Sequence, residues 1–92
     1  MSFQIVLTHS FIRQVERFKK SHPELKQKLA KTLRDLANDP FQSHLKLHAL
    51  KGSMKEFHAV SINYQYRMTL ILHITEKEII LIDIGTHDEV YR

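Results

Sequence analysis

Two stretches in the second half of the chain decide the fold: residues 66–74 read YRMTLILHI, and residues 79–84 read IILIDI. In the first stretch, alternation predicts a β-strand with Tyr66, Met68, Leu70, Leu72 and Ile74 on one face and Arg67, Thr69, Ile71 and His73 on the other. The second stretch is apolar until Asp83 interrupts it, which predicts an inner strand covered on both faces. Arg67 is therefore expected to point away from most of the core.

The first half of the chain predicts one strand and two helices. Residues 3–7 are apolar and β-branched, and residues 11–20 repeat apolar side chains at helical spacing, with Ser10 as the candidate N-cap. Residues 21–24 combine serine, proline and glutamate in the pattern of a helix start, and the proline in residues 38–40 ends that helix. The apolar stripe of the second helix consists of Leu25, Leu29, Leu33 and Leu36.

The stripes of the two helices need an apolar surface to cover them, and the later strands offer the largest one. The sequence therefore predicts a two-layer α+β domain over residues 1–92. In it, an N-terminal strand and a helical hairpin pack on a mainly antiparallel, four-stranded sheet. The 92 residues, 42% of them hydrophobic, fit one small folded domain.

Charge and composition narrow the class of partner and the compartment. Fourteen Lys and Arg against ten Asp and Glu give a formal charge of +4, with seven histidines besides. A basic surplus favours a polyanion such as nucleic acid, or an acidic protein. The chain has no cysteine, and it shows neither a signal peptide nor a membrane-spanning run, so a cytoplasmic protein without disulfides is expected.

The candidate chemistry is carried by histidines and one arginine on the later strands: His48, His58, Arg67 and His87. Cleaving RNA requires a base for the 2′-hydroxyl, a cation at the non-bridging oxygens and an acid for the leaving oxygen. Histidine exchanges protons near neutrality, and arginine donates paired hydrogen bonds to phosphate. These residues predict a metal-independent ribonuclease site on one face of the sheet, which Asp83 or Asp88 would complete by orienting His87.

Other kinds of site have weaker support. His44 and His48 are four residues apart, but that spacing joins two metal ligands on a helix, and the surrounding residues predict extended or loop structure. Hydrolase motifs and glycine-rich phosphate loops are absent, because Gly52 and Gly85 are the chain's two glycines. No metal and no cofactor is expected.

Three segments together carry a resemblance: HALKG at residues 48–52, NYQYR at residues 63–67 and IGTHDEVY at residues 84–91. With the order of strand, helical hairpin and three strands, they make nearly the whole chain resemble the RelE/ParE superfamily of type II toxin–antitoxin toxins. The likeness is strongest to the RelE, YafQ and YoeB branch of mRNA interferases. It implies a small endoribonuclease that cuts translated mRNA in the ribosomal A site and is neutralised by a cognate antitoxin.

The resemblance also assigns roles to residues. Arg67 matches the phosphate-stabilising arginine, His87 the acid/base histidine of YafQ and YoeB, and Tyr91 the terminal aromatic that positions the cleaved nucleotide. His48 matches a histidine before a Leu-x-Gly turn in YafQ-like toxins. His58 stands where RelE has a catalytic lysine, so the general base is either His48 or His58.

Three further expectations follow from the resemblance. Ser61 and Gln65 stand where YafQ has a histidine and an aspartate, which is a departure from the family pattern. Lys51 and Lys55 are expected to contact the backbone of mRNA or rRNA. The antitoxin is expected to bring a flexible amphipathic segment, and any DNA contact to run through the toxin–antitoxin complex.

Two alternatives stay open on the sequence. One is a ParE-like toxin of the same fold that inhibits DNA gyrase by protein contact and is not a nuclease. The other is a degenerate member that only binds its antitoxin.

Overall fold

A computed structural model describes residues 2–52 and 56–86 of the chain. Its elements are, in order, β1 (Gln4–Leu7), α1 (His9–Ser21), a 3₁₀ turn (Pro23–Leu25), α2 (Lys26–Asn38), a second 3₁₀ turn (Ser43–Leu45), β2 (His48–Ala49), β3 (His58–Ser61), β4 (Tyr66–His73) and β5 (Glu78–Thr86). None of the helices in this part of the chain is long and apolar enough to span a membrane. The predicted α+β arrangement is confirmed.

The strands form one mixed sheet in the order β1-β5-β4-β3-β2. β1 runs parallel to β5, and every other neighbouring pair is antiparallel. The sheet has five strands rather than the predicted four, because His48 and Ala49 pair with Ala59 and His58. A two-residue strand is too short to leave an alternating pattern in the sequence.

A β-bulge in β5 sets which side chains enter the core. Thr69 pairs with Asp83 but Leu70 pairs with Leu81, so Ile82 is the extra residue. The bulge allows Leu81 and Ile84, three positions apart, to be buried together.

The helices pack on one sheet face, which we call the helix face; the face on the other side is the open face. The predicted inner position of β5 is confirmed, since β5 lies between β1 and β4. Its predicted coverage on both faces is wrong, because Ile80 and Ile82 are only half-buried. The predicted inward position of Ile74 is also wrong: β4 ends at His73, and Ile74 lies 59% exposed.

Both helices occupy their predicted segments, but their starts differ from the prediction. The N-cap of α1 is Thr8 and not Ser10: the Thr8 hydroxyl accepts from the Phe11 amide (3.1 Å) and donates to the Leu81 carbonyl (2.9 Å). Ser21 is the last residue of α1 rather than a cap of α2, which follows a 3₁₀ turn that begins at Pro23. Tertiary contact with β5 selects Thr8, and local sequence does not show that contact.

The remainder of α2 agrees with the prediction. Leu29 and Leu36 are buried in the core, and Leu25 and Leu33 pack against it from half-buried positions. The helix ends at Asn38, just before the predicted stop at Pro40. The leucine stripe thus joins the second helix to the sheet.

A small polar cluster joins α2 to the segment that leads into β2. One Asp35 oxygen accepts from the Lys31 ammonium at 2.7 Å and lies 2.8 Å from the His44 Nε2 atom. The hydrogen bonds from Lys31 and then His44 lower the pKa of Asp35 below its usual 3.8. The carboxylate therefore holds the second 3₁₀ turn against the helix. Only Lys46 and Leu47 separate this turn from β2.

We expect Thr8→Ala to lower the free energy of unfolding by about 1–2 kcal/mol, because it removes the helix cap and the bond to Leu81. Thr8→Ser keeps the hydroxyl and should lose much less. Urea denaturation followed by circular dichroism measures both. Ser10→Ala is the control, and a larger loss there than in Thr8→Ala would contradict the assignment of the cap.

We expect Asp35→Asn to destabilise the protein at neutral pH and to lose this effect in acid. A carboxyl group whose pKa is lowered by folding contributes stability above its unfolded pKa, and that contribution disappears as the pH falls below 3.8 toward the folded value. Urea denaturation of both proteins from pH 7 down to pH 2 measures the difference. Glu16→Gln, at an exposed pair with Lys19, is the control, and a difference independent of pH would contradict the linkage.

Candidate functional site

The strand register places two of the candidate residues on the open face. His48 in β2 pairs with Ala59 in β3. Arg67 in β4 pairs with Ser61, which lies two residues after Ala59 in β3. Paired residues of antiparallel strands share a face, and so do residues two apart in one strand. His48 and Arg67 therefore point to the same side, with Cα atoms about 12 Å apart from two strand spacings of about 4.8 Å and two residue steps of about 3.3 Å.

Arg67 is held at the start of β4 by the turn that precedes it. Its Nη1 atom donates to the Asn63 carbonyl at 2.9 Å and lies within 3.4 Å of the Tyr64 and Tyr66 carbonyls. The Nη2 and Nε atoms have no partner among the residues that the structure describes. The guanidinium is thus anchored by one nitrogen, and its other two nitrogens can donate to an oxyanion.

His48 has its ring oriented by the backbone just before β2. Its Nδ1 atom lies 2.9 Å from the Lys46 carbonyl oxygen, and Lys46 adopts a left-handed conformation with φ of 53°. A carbonyl oxygen only accepts, so Nδ1 carries the hydrogen and Nε2 is the basic nitrogen of the neutral ring. The side chain is exposed, and this tautomer suits a proton acceptor.

The prediction that His58 shares a face with His48 and Arg67 is wrong. His58 pairs with Ala49 on one side and with Leu70 on the other, and Leu70 is fully buried in the core beneath the helices. His58 therefore points to the helix face. Its Nδ1 atom is buried, with no hydrogen-bond partner in the described part of the chain. Successive residues of a strand point to opposite faces, so His48 and His58, the two candidates for the general base, lie on different faces of the sheet.

Of the predicted RNA-binding residues, Lys51 is described and lies exposed beside Gly52, whose φ of +70° is a left-handed conformation that favours glycine. Lys55, His87 and Tyr91 lie outside the described residues. β5 extends to Thr86, the residue before His87, and Thr86 pairs with Tyr66 at the start of β4.

Sequence reasoning missed Gln14, which attaches the end of β5 to α1. The Gln14 Nε2 atom donates to Asp83 at 2.8 Å, and its Oε1 atom accepts from the Ile84 amide at 3.0 Å. Pairing of β1 with β5 ends at Leu7 and Leu81, so the Gln14 amide continues the hydrogen bonding where β1 stops. Asp83, predicted as a possible partner of His87, makes this bond to α1, and its relation to His87 stays a prediction because His87 lies outside the described residues. A glutamine on a helix surface carries no sequence signal for such a role.

The His44–His48 pair does not form a metal site in the structure. His44 contacts Asp35, whereas His48 contacts the Lys46 carbonyl. Among the described residues, no group of three His, Asp or Glu side chains is arranged to hold a metal ion.

Similar solved structures share this fold over nearly the whole chain. YafQ from E. coli strain BL21(DE3) has a TM-score of 0.80 at 21% identity, over 98% of this chain and 99% of that one. YafQ in the E. coli DinJ–YafQ toxin–antitoxin complex has a TM-score of 0.79 at 20% identity, over the full length of both chains. A YoeB/ParE toxin from Agrobacterium tumefaciens has a TM-score of 0.75 at 20% identity, over 92% of this chain and 99% of that one.

A search among curated proteins found no match. The sequence model of the YafQ family, described as a bacterial toxin of type II toxin–antitoxin systems, matches residues 3–92. That match spans all the regular elements described above, including the strands that carry His48 and Arg67. This chain therefore belongs to the YafQ family of bacterial toxins of type II toxin–antitoxin systems.

Proposed function

We propose that this protein is an endoribonuclease toxin that cuts translated mRNA by metal-independent attack of the 2′-hydroxyl. The observation that carries the proposal is the placement of His48 and Arg67 on the sheet face opposite the helices. Their separation of about 12 Å between Cα atoms lets a long arginine side chain and an imidazole approach a single phosphodiester from two directions. Family membership supports the same activity.

In this proposal, His48 is the general base. Its Lys46 contact leaves Nε2 as the basic nitrogen, which can take the proton of the 2′-hydroxyl. His48 is favoured over His58 because His58 points to the helix face with a buried Nδ1 atom. A base on the helix face points away from an RNA strand that crosses the open face.

Arg67 stabilises the extra negative charge of the pentavalent phosphorane. The bond from Nη1 to the Asn63 carbonyl positions the guanidinium in advance, so that Nη2 and Nε donate to a non-bridging oxygen with little reorganisation. The bond from phosphorus to the 5′-oxygen of the downstream fragment breaks, and this leaving oxygen takes its proton from His87, which follows the last residue of β5.

The remaining predicted residues complete the proposal. Tyr91 stacks on a base next to the cut, and Lys51 and Lys55 contact the backbone of mRNA or rRNA. The 2′-hydroxyl nucleophile confines the reaction to RNA, and the ribosomal A site presents the substrate in the cytoplasm. Neither a metal nor a cofactor has a step in this mechanism.

We also propose that a cognate antitoxin neutralises the protein. The E. coli relative has been solved in a complex named DinJ–YafQ, and the fold of this chain matches that toxin over its full length. The formal charge of +4 favours an antitoxin segment that is acidic as well as amphipathic. Such a segment would cover the open face at His48 and Arg67 and exclude mRNA.

We expect His48→Gln, Arg67→Ala and His87→Gln each to reduce mRNA cutting by roughly 10²–10⁴-fold. The two histidine changes each remove a proton transfer, and the arginine change removes the cation that stabilises the phosphorane. Primer extension on transcripts from cells that express the toxin without an antitoxin measures the cutting, and growth arrest should weaken in parallel. His58→Gln should leave more activity than His48→Gln.

His73→Gln is the matched control, because His73 is exposed and pairs with Glu78 at the opposite end of β4 and β5. It should cut like the parent protein. Equal activity in Arg67→Ala and the parent would contradict the mechanism. Growth arrest with intact mRNA and damaged DNA would instead indicate a toxin of the ParE type, and unimpeded growth a member that only binds its antitoxin.

A further inference from the structure

A cleft lies on the helix face, at the end of the sheet next to the proposed site. It has a volume of about 400 Å³, and its walls are the C-terminal half of α1 and the adjoining ends of β4 and β5. The residues that line it include Arg17, Ser21, His22, Tyr66 and Thr86. This volume is in the range of small-molecule sites, and the mechanism proposed above uses none of the side chains named here.

The inner wall of the cleft is aromatic. The ring of Tyr66 meets Phe18 edge-on at 5.1 Å between centroids and lies 4.8 Å from the ring of His22. Phe18 is buried, whereas His22 and Tyr66 are half-buried. Packing therefore fixes the orientation of the two outer rings while part of each lines the cleft.

The polar atoms of the Tyr66 and His22 rings form a chain of contacts that leads to Glu24. The Tyr66 hydroxyl lies 3.0 Å from the His22 Nε2 atom, and the His22 Nδ1 atom lies 3.6 Å from a Glu24 carboxylate oxygen. The carboxylate favours the hydrogen on Nδ1, so in the neutral ring Tyr66 donates to Nε2. The Tyr66 oxygen then has a lone pair that can accept from an amino group in the cleft.

The outer wall of the cleft is cationic. Arg17 is exposed and has no hydrogen-bond or ion-pair partner among residues 2–52 and 56–86. It lies one helical turn before Ser21, so a guanidinium and a hydroxyl line the same side of the cleft. Glu24 lies on the far side of the His22 ring from Tyr66 and outside the cleft lining, and its charge would repel a phosphate placed beside it.

We propose that this cleft binds one nucleotide of single-stranded RNA next to the bond that is cut. The phosphate lies on Arg17, and the base lies against His22 and Tyr66, with the Tyr66 oxygen accepting from an amino group of the base. The inference rests on the proposed function, because it makes the cleft a neighbouring subsite of the same RNA strand.

The position of the cleft in the sheet supports a single continuous path for the strand. Gly85 pairs with Arg67, and the next residue, Thr86, lines the cleft and directly precedes His87. Tyr66 faces the cleft, and Arg67, its neighbour in β4, faces the open side. An RNA strand that passes around this end of the sheet would therefore contact Arg67 and the cleft with consecutive nucleotides.

Binding of a 10-nucleotide RNA with 2′-fluoro sugars, which lacks the nucleophile and is not cut, tests the inference by fluorescence anisotropy. Arg17→Ala should weaken binding about 5-fold or more and reduce the slope of log K against log salt by about 0.7, the loss of one phosphate contact on a single strand. Arg13→Ala is the matched control, since it removes the same charge one turn earlier on α1, outside the cleft lining.

The base contact is tested by Tyr66→Phe, which keeps the ring and removes the hydroxyl. Binding should weaken about 3- to 10-fold, as expected for one lost hydrogen bond, whereas Tyr64→Phe, at a side chain 89% exposed, should bind like the parent. In NMR titrations, 5′-AMP should shift the amides of Ser21 and Thr86 more than inorganic phosphate does at equal concentration.

Two results would overturn the inference without affecting the proposed function, provided that the parent protein cuts mRNA. One is an equal loss of RNA affinity in Arg17→Ala and Arg13→Ala. The other is an RNA affinity of Tyr66→Phe equal to that of the parent protein. Failure of the parent protein to cut mRNA in cells would overturn the proposed function, and the subsite with it. The mRNA-cutting assay therefore separates the two failures.

Discussion

The parallel pairing of β1 with β5 is the constraint on which the rest of the structure depends. It joins the first strand of the chain to the last, with Ile5 beside Ile79 and Leu7 beside Leu81. A parallel connection needs a crossover, which here consists of the two helices and the antiparallel strands that follow. Both helices consequently pack on one face of the sheet, and the opposite face is left open for function.

β5 is longer than β1, and the protein resolves that difference with side chains from α1. Thr8, the N-cap of α1, bonds to Leu81 where the pairing with β1 ends, and Gln14 of α1 bonds to Ile84 beyond that point. These two side-chain bonds add to the backbone pairing at Leu81 and take its place at Ile84, which β1 does not reach. They also hold the end of β5, and thus the residues before His87, against a rigid helix.

The division of the sheet into two faces gives the protein two adjoining surfaces, both of which the proposed mechanism and subsite assign to RNA. On the open face, the exposed His48 and the anchored Arg67 lie on the two strands that flank β3. On the helix face, the cleft beside Tyr66 combines aromatic rings with a cation. Both surfaces meet at the start of β4, where successive residues point to opposite sides.

The sequence by itself determined the periodic features: the two helices, the leucine stripe of α2, the two strands predicted at residues 66–74 and 79–84, and the identity of the arginine and histidines that carry the proposed chemistry. These signals are local, because hydrophobic periodicity reports how one element meets the core. Only the tertiary structure decided the bulge at Ile82, the two-residue strand at His48, the cap at Thr8 and the role of Gln14. It also separated His48 from His58, since a side chain's face depends on register with a strand distant in the sequence, and a shift of one residue reverses it.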